Sequence, residues 1–194
     1  MVFQERTYSV LVVSSSEKFN SAAMSLLPMT DYWPVTVVKS VGEARRELTE
    51  KSYDIVLVNA PLTDDFGMQL AMDVCSSSEA GVLLLVKGEL YNEIYAKVME
   101  YGVITLAKPA SMQMVSQSLR MLCATRERLR RLQARQASVQ EKIEEIRIVN
   151  KAKWLLIECL RMTEPDAHRY IEKQAMDLRI SKREVAENVI RTYQ

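Results

Sequence analysis

Five short apolar runs, each followed by a segment with helical periodicity, constrain the fold of this 194-residue chain more than any other feature. The runs are YSVLVV at 8–13, VTVV at 35–38, DIVLVN at 54–59, GVLLLV at 81–86 and GVITLA at 102–107. Continuous β-branched or leucine-rich runs of this kind are typical of parallel strands that are buried on both faces of a sheet. We therefore predict a five-stranded, doubly wound parallel α/β domain over residues 1–111.

Polar residues directly follow three of these strands. The first run continues into serines 14–16, the third ends at Asn59 before Pro61, and the fifth continues into Lys108 and Pro109. The carboxyl ends of the strands in a doubly wound sheet meet at one edge, where ligands bind. We expect the functional pocket of this domain at that edge.

The chain holds neither glycine nor proline from Ala110 to Glu164, so we predict a long helix there. Its apolar positions follow heptad spacing with one three-residue slip near Leu129 and Leu132, a pattern typical of a coiled coil. An exposed apolar stripe of this length needs a partner, and we predict a dimerisation helix over residues 112–150. The alternative is a helix that folds back onto its own sheet. The predicted dimer interface comprises Val115, Leu119, Leu122, Leu129, Leu132, Val139, Ile143 and Ile146.

Residues 151–194 have the pattern of a three-helix unit whose first member is the end of the long helix. Thr163 is a predicted N-cap, with Pro165 in the first turn after it. Ser181 and Glu184 form a capping box for a last helix over residues 182–191. We expect a core of Leu155, Leu156, Leu160, Ala167, Ile171, Ala175, Leu178, Val185 and Val189. Tyr170 lies either at the edge of this core, which we favour, or on the surface as a platform on which a base stacks.

Composition argues against several classes of protein. Three cysteines lie far apart, which disfavours a disulfide framework or a zinc site, and His168 is the single histidine. No nucleophile–base pair or metal cluster is visible, so we expect neither an enzyme nor a bound cofactor or metal. No apolar run approaches the length of a membrane span, and reduced cysteines fit a cytoplasmic protein with no membrane partner.

Charge is distributed unevenly along the chain. Residues 1–110 hold 9 Lys/Arg and 14 Asp/Glu, which gives a net charge of −5. Residues 111–150 hold 8 and 4, which gives +4, and residues 151–194 hold 9 and 7, which gives +2. We therefore expect a polyanionic partner to bind the C-terminal part of the chain.

The strand order and the segments DIVLVNAPLTDDFGM and LAKP resemble a response-regulator receiver domain over residues 7–120. The resemblance matches the family's magnesium-binding acidic pair, phosphorylated aspartate, hydroxyl residue and lysine to Ser14 with Ser15, Asn59, Val86 and Lys108. Mg²⁺ prefers carboxylate oxygens, and phosphoryl transfer depends on it. This pocket retains only the lysine, so we predict a degenerate receiver that is not phosphorylated. The SSSE segment at 14–17 is interpreted as a helix-capping turn; the alternative is a neutral pocket for a small ligand or an anion.

The segment NKAKWLLIECLRMTEPDAHRYIEKQAMDLRISKREVAENVI resembles the ANTAR family of transcription antiterminators. The family pattern is matched by Ala152 with Lys153, Ala167 with His168, Ala175 with Met176 and Arg179, and Val185 with Ala186; Trp154 replaces the usual glycine and His168 the usual Phe or Tyr. The resemblance implies a 151–194 domain that binds tandem short RNA hairpins in a leader transcript. The candidate RNA-binding residues are Lys151, Lys153, Arg161, Arg169, Lys173, Arg179, Lys182 and Arg183.

The resulting hypothesis is a dimeric RNA-binding antiterminator with a degenerate receiver. The arginine-rich segment at 126–135 has two interpretations, a basic coiled-coil surface, which we favour, or a secondary contact with RNA. An alternative function is a phosphorylation-independent adaptor that binds a signalling protein through the receiver and the coiled coil. A factor that binds duplex DNA is the third hypothesis, weakened because no clear recognition helix with a glycine-containing turn is visible.

Overall fold

In a computed structural model of the chain, the structure describes residues 7–193. The chain divides into two compact units, Met1–Leu129 and Arg130–Gln194, which we call the first and second units. No helix within the described part of the chain is long and apolar enough to cross a membrane.

The first unit contains a five-stranded parallel sheet in the order β2-β1-β3-β4-β5. The strands are β1 (Tyr8–Val13), β2 (Tyr32–Val38), β3 (Ile55–Asn59), β4 (Gly81–Lys87) and β5 (Ile104–Lys108). The helices that follow the first four strands are α1 (Glu17–Ser25), α2 (Val41–Glu50), α3 (Met68–Ser77) and α4 (Tyr91–Val98), with short 3₁₀ turns at Gly88–Leu90 and Met99–Tyr101. This doubly wound α/β fold confirms the predicted fold class.

Helices cover both faces of the sheet, which explains why the strands read as unbroken apolar runs. On one face, α2, α3 and α4 bury side chains such as Ala44, Leu70 and Val98. On the other face, α1 contributes Ala23 and the beginning of a long helix, α5 (Met112–Leu160), contributes Leu119. The strand ends that carry the candidate pocket are thereby fixed between two packed layers.

The first turns of α5 belong to the core of the first unit. Val115, Leu119 and Leu122 are buried against the sheet. A Cβ atom added at Gly81 would lie 2.8 Å from Cδ2 of Leu122, so a side chain there would force the Leu122 side chain to move. The prediction that these three residues form a dimer interface is therefore wrong, because they already pack against their own sheet, as in the alternative interpretation.

A half-buried ion pair, one turn after Leu122, holds α5 beside the sheet. Arg126 Nε donates to Asp54 Oδ1 at 2.7 Å, and both side chains are only 17% exposed. The other carboxylate oxygen of Asp54 accepts hydrogen bonds from the backbone N–H and the hydroxyl of Ser9. Burial alone would raise the pKa of Asp54, but the bonds from Ser9 and Arg126 outweigh it and hold the pKa below its ordinary value. Arg126 thus anchors α5 to the sheet of the first unit.

The second unit packs the end of α5 against α6 (Glu164–Leu178) and α7 (Lys182–Tyr193). Its buried core consists of Ala152, Leu156, Ala167, Ile171, Ala175, Val185, Ala186 and Val189. Leu160 and Leu178, which we expected in this core, are 42% and 59% exposed, because each is the last residue of its helix.

The predicted caps of the second unit are present. Thr163 Oγ1 accepts a hydrogen bond from the N–H of Asp166 at the beginning of α6. Ser181 Oγ accepts from the N–H of Glu184, whose carboxylate accepts from the N–H of Ser181, which is a reciprocal capping box. These caps satisfy N–H groups that have no partner within their helices.

Candidate functional site

Three of the predicted pocket residues meet at the carboxyl edge of the sheet. Asn59 Nδ2 donates to Ser14 Oγ at 3.0 Å, and Lys108 Nζ donates to Asn59 Oδ1 at 3.0 Å. Lys108 also donates to the carbonyl oxygen of Ala60. Ser14 and Asn59 are buried and Lys108 is half-buried. The residue after β1 and the last residues of β3 and β5 thus form one connected polar group.

Burial lowers the pKa of Lys108, and the nearby charge of Lys87 lowers it further. Lys87 and Lys108 are paired residues of β4 and β5, but Lys87 is exposed. Val86 is fully buried in the core and offers no hydroxyl, and Ser15 is half-buried. The site therefore has an ammonium group, hydroxyls and an amide.

The acidic residues in the loop after β3 have structural partners. Asp64 accepts hydrogen bonds from the N–H groups of Val41 and Gly42 at 2.9 Å, at the beginning of α2. The hydrogen bonds from these two N–H groups lower the pKa of Asp64, and the bond from Gly42 has the larger effect. Asp65 accepts from the N–H of Gly67. Between residues 7 and 193 there is no group of three or more His, Cys, Asp or Glu side chains that could hold a metal ion.

Most of the candidate RNA-binding residues lie on the surface of the second unit. Four exposed cations make no ion pair with any described residue: Arg161, Arg169, Lys173 and Arg179. Lys151 is also exposed. Lys182 contacts Glu172 at 2.6 Å, and Arg183 contacts Glu187 at 2.9 Å. The unpaired cations can bind an external anion without first breaking an internal ion pair.

Lys153 differs from this group. Its ammonium contacts the carboxylate of Glu164 at 2.7 Å, and its side chain is only 16% exposed. The ion pair lowers the pKa of Glu164. Lys153 lies outside the buried core, as predicted, but its ion pair joins α5 to the beginning of α6, and its role in RNA binding stays a prediction.

Two of the unpaired arginines close helices with an unusual backbone. Arg161 follows α5 with φ = 56°, and Arg179 follows α6 with φ = 55°. At the second position, the N–H of Arg179 donates to the carbonyl of Met176 and the N–H of Ile180 to that of Ala175. This arrangement is a Schellman motif, in which glycine is the usual residue.

Aromatic side chains accompany these cations on the surface. Tyr170, which we assigned to the edge of the core, is 36% exposed, and it lines a groove of about 160 Å³ with Tyr193. Trp154 is 70% exposed, and sequence reasoning did not assign it a role. Its exposure could have been predicted, because Trp154 lies midway between the buried residues Ala152 and Leu156 and so falls on the other side of α5. Nε2 of His168 lies 3.3 Å from Glu172.

The remaining residues of the predicted dimer interface are exposed. In the second unit they are Leu132, Val139, Ile143 and Ile146, which we call the exposed stripe, and they are between 40% and 60% exposed. Leu129, the last residue of the first unit, is 53% exposed. An apolar row of this kind is typical of a surface that a partner covers.

Comparisons with known proteins agree with this architecture. A family model of the ANTAR domain matches residues 137–190. Transcriptional regulatory protein PdtaR of Mycobacterium tuberculosis is 27% identical over 153 residues, which cover 78% of this chain and 74% of that protein. These matches support a transcriptional regulator of the antiterminator type.

Solved structures match the fold. The signal receiver domain of an HD domain-containing protein from Pseudomonas fluorescens has a TM-score of 0.57 and 22% identity, over 68% of this chain and 96% of that one. The receiver domain of the TMAO respiratory system response regulator TorR has a TM-score of 0.54 and 18% identity, over 61% and 98%.

The fold of the first unit is therefore that of a receiver domain, and it precedes a small helical unit in the same chain. The chain therefore combines a unit with the fold of a receiver domain and a segment, residues 137–190, that matches the ANTAR domain.

Proposed function

We propose that this protein is an RNA-binding antitermination regulator that binds two hairpins of a leader transcript as a dimer. The observation that carries the proposal is the set of exposed, unpaired cations on the second unit, which we call the ANTAR unit from here on: Arg161, Arg169, Lys173 and Arg179. Hairpin loops present unstacked bases and closely spaced phosphates, which Lys, Arg and aromatic side chains recognise. Exposed Tyr170 supplies an aromatic face beside Arg169.

Dimerisation through the exposed stripe supports recognition of two hairpins rather than one. Burying apolar side chains between two helices stabilises their association by about 25 cal/mol per Å² of apolar surface removed from water. A dimer carries two ANTAR units, and binding of the first hairpin holds the second at high effective concentration. Two-hairpin RNA should therefore bind far more tightly than either hairpin alone.

We also propose that the receiver acts without phosphorylation. Its pocket offers Asn59, Ser14 and Ser15 where a phosphorylated receiver needs carboxylates to bind Mg²⁺ and accept the phosphoryl group. An amide nitrogen has no lone pair available for attack on phosphorus. RNA binding is then constitutive, or controlled by protein concentration or by a ligand.

A gel-shift experiment with the full chain tests the proposal. The RNAs are a two-hairpin leader and its two single-hairpin halves, and a DNA duplex of matched length is the control. We expect the two-hairpin RNA to bind about 100-fold more tightly than either half, and its affinity to fall steeply with salt.

Two substitutions and one control sharpen this test. Arg169→Ala and Arg179→Ala should each weaken RNA binding about tenfold with the fold intact, because both side chains are exposed and unpaired. Lys97→Ala removes an equal charge from the receiver, where Lys97 pairs with Glu93 at 2.7 Å, and should leave binding unchanged. Equal affinity for every nucleic acid would indicate non-specific charge attraction. No affinity for any of them would contradict the proposal and favour a protein-binding adaptor.

A further inference from the structure

A cavity of about 610 Å³ opens at the carboxyl edge of the receiver sheet, and neither RNA binding nor dimerisation uses it. Its walls come from the loop after β1, from α1, from the ends of β3, β4 and β5, and from the first residue of α5. Small-molecule sites typically occupy about 300–1,000 Å³ and combine apolar walls with a few convergent polar groups. This cavity has the size and position of such a site.

Part of the cavity lining is polar and carries positive charge. Lys18 and Lys108 both line it, and none of its twelve lining residues is an aspartate or glutamate. The hydrogen-bond partners of Lys108 within the described chain, Asn59 Oδ1 and the carbonyl oxygen of Ala60, are both neutral. A half-buried ammonium without a carboxylate partner is stabilised by an external anion, since the interaction is strong where water is partly excluded.

Another part of the cavity lining is apolar. Phe19 and Ala22 from α1, Leu85 from β4 and Met112 from α5 line it, together with three residues next to strand ends. Inorganic phosphate alone would leave this surface in contact with water. An organic ligand that covers it gains hydrophobic stabilisation in addition to the charge contact.

We propose that this cavity binds a metabolite-sized organic anion without covalent reaction. The ligand would carry one carboxylate or phosphate group on an apolar or aromatic body. The anionic group contacts Lys108, with Ser15 and Asn59 as neighbouring hydrogen-bonding groups, and the body packs against Phe19, Leu85 and Met112. Because Asn59 stands where a receiver has its phosphorylated aspartate, the pocket keeps the positive charge of Lys108 with no carboxylate beside it, and such a ligand can bind there.

Calorimetry and ligand-observed saturation-transfer NMR on the full chain test this inference. The test compounds are 1-naphthoate and 1-naphthyl phosphate, which share one aromatic body and differ in the anionic group. 1-Naphthalenemethanol supplies the body without charge, and acetate and inorganic phosphate supply the charge without the body. We expect at least one naphthyl anion to bind at one site per chain, at least tenfold more tightly than the neutral alcohol or the small ions. The preferred anion distinguishes a carboxylate ligand from a phosphate ligand.

Two variants and a matched control assign the binding to this cavity. Lys108→Met should weaken binding of the preferred anion at least tenfold. Lys87→Met removes the same charge from the paired position on β4, outside the cavity lining, and should change affinity less than twofold. Ala22→Phe fills the cavity from α1 and should abolish binding with Lys108 retained, so the test survives if Lys108→Met fails to fold. Absence of binding to every compound, or wild-type affinity in folded Lys108→Met or Ala22→Phe protein, would overturn the inference.

Discussion

The two halves of helix α5 have the same heptad spacing but differ in what covers them. In residues 112–126 the apolar positions are buried against the receiver sheet, and Arg126 pairs with Asp54. In residues 129–146 the equivalent positions are 40–60% exposed. A heptad pattern therefore shows that one face of a helix will be covered, but the rest of the fold decides whether the cover is its own sheet or a second chain.

The largest expected effect is on the stability of the receiver, which should depend on the buried part of α5 and not on its exposed part. Leu119→Asp places a carboxylate where the native side chain is 1% exposed, and should destabilise the receiver by more than about 4 kcal/mol. Leu132→Asp makes the same change in the exposed stripe and should leave the unfolding of the receiver unchanged. Urea unfolding followed by circular dichroism measures both. Comparable destabilisation of the receiver by the two variants would contradict the distinction.

The next effect concerns self-association. If the proposed dimer forms, Leu132→Asp combined with Ile143→Asp should convert it to folded monomers and raise its dissociation constant at least about 100-fold, since charged groups are costly in an apolar interface. Sedimentation velocity at micromolar concentration gives the result. Arg128→Glu changes an exposed residue of the same helix outside the stripe and is the control. A wild-type protein that sediments as a monomer throughout this range would reject the coiled-coil proposal.

A smaller effect tests the anchor of the buried half. Asp54→Asn should destabilise the receiver by about 2 kcal/mol at pH 7, because it leaves Arg126 without its charged partner. The folded-state pKa of Asp54 lies below its unfolded value. The stabilisation is therefore complete above about pH 4, and is lost as pH falls through the lower folded pKa.

Urea unfolding of the wild type and of Asp54→Asn between pH 7 and pH 3 measures how the difference in their unfolding free energies changes with pH. Asp73→Asn is the matched control, because Asp73 makes a solvent-exposed pair with Arg45, which is worth about 0.5 kcal/mol or less. A difference between wild type and Asp54→Asn that grows as pH falls would have the wrong sign for this mechanism.

The smallest expected effect is none. Acetyl phosphate with Mg²⁺ should leave no base-labile phosphoryl adduct on the receiver and no change in the association of the exposed half. Asn59→Asp alone should behave in the same way, because Ser14 and Ser15 still supply no carboxylate for the metal. Intact-mass spectrometry and sedimentation are the measurements. An adduct of one phosphoryl group on the wild-type receiver would refute the proposal of a degenerate pocket.

The receiver fold was predictable because its strands are buried on both faces and read as uninterrupted apolar runs. The first and last residues of the individual strands were less predictable. The fifth run was placed at 102–107, but β5 is Ile104–Lys108, because Gly102 adopts φ = 80° and closes a turn before the strand. The meeting of Ser14, Asn59 and Lys108 followed from the parallel topology, since all three lie at carboxyl ends of strands.

Contacts made by residues distant in sequence were not predictable from local patterns. Lys153 has the sequence character of a surface residue, but Glu164 lies across the turn between two helices and pairs with it. Val115, Leu119 and Leu122 are buried because β4 packs against them, with Leu122 in contact with Gly81. A heptad pattern carries no information about this contact with a distant strand.

The left-handed backbone at Arg161 and Arg179 has a consequence for how this domain can vary. A residue with a side chain costs about 1–2 kcal/mol in that conformation, whereas glycine adopts it freely. Glycine at either position should therefore raise the free energy of unfolding of the ANTAR unit, but it would remove a guanidinium from the surface. A screen that selects only for heat resistance would favour those glycines, and each would remove one of the cations on which the proposed RNA binding depends.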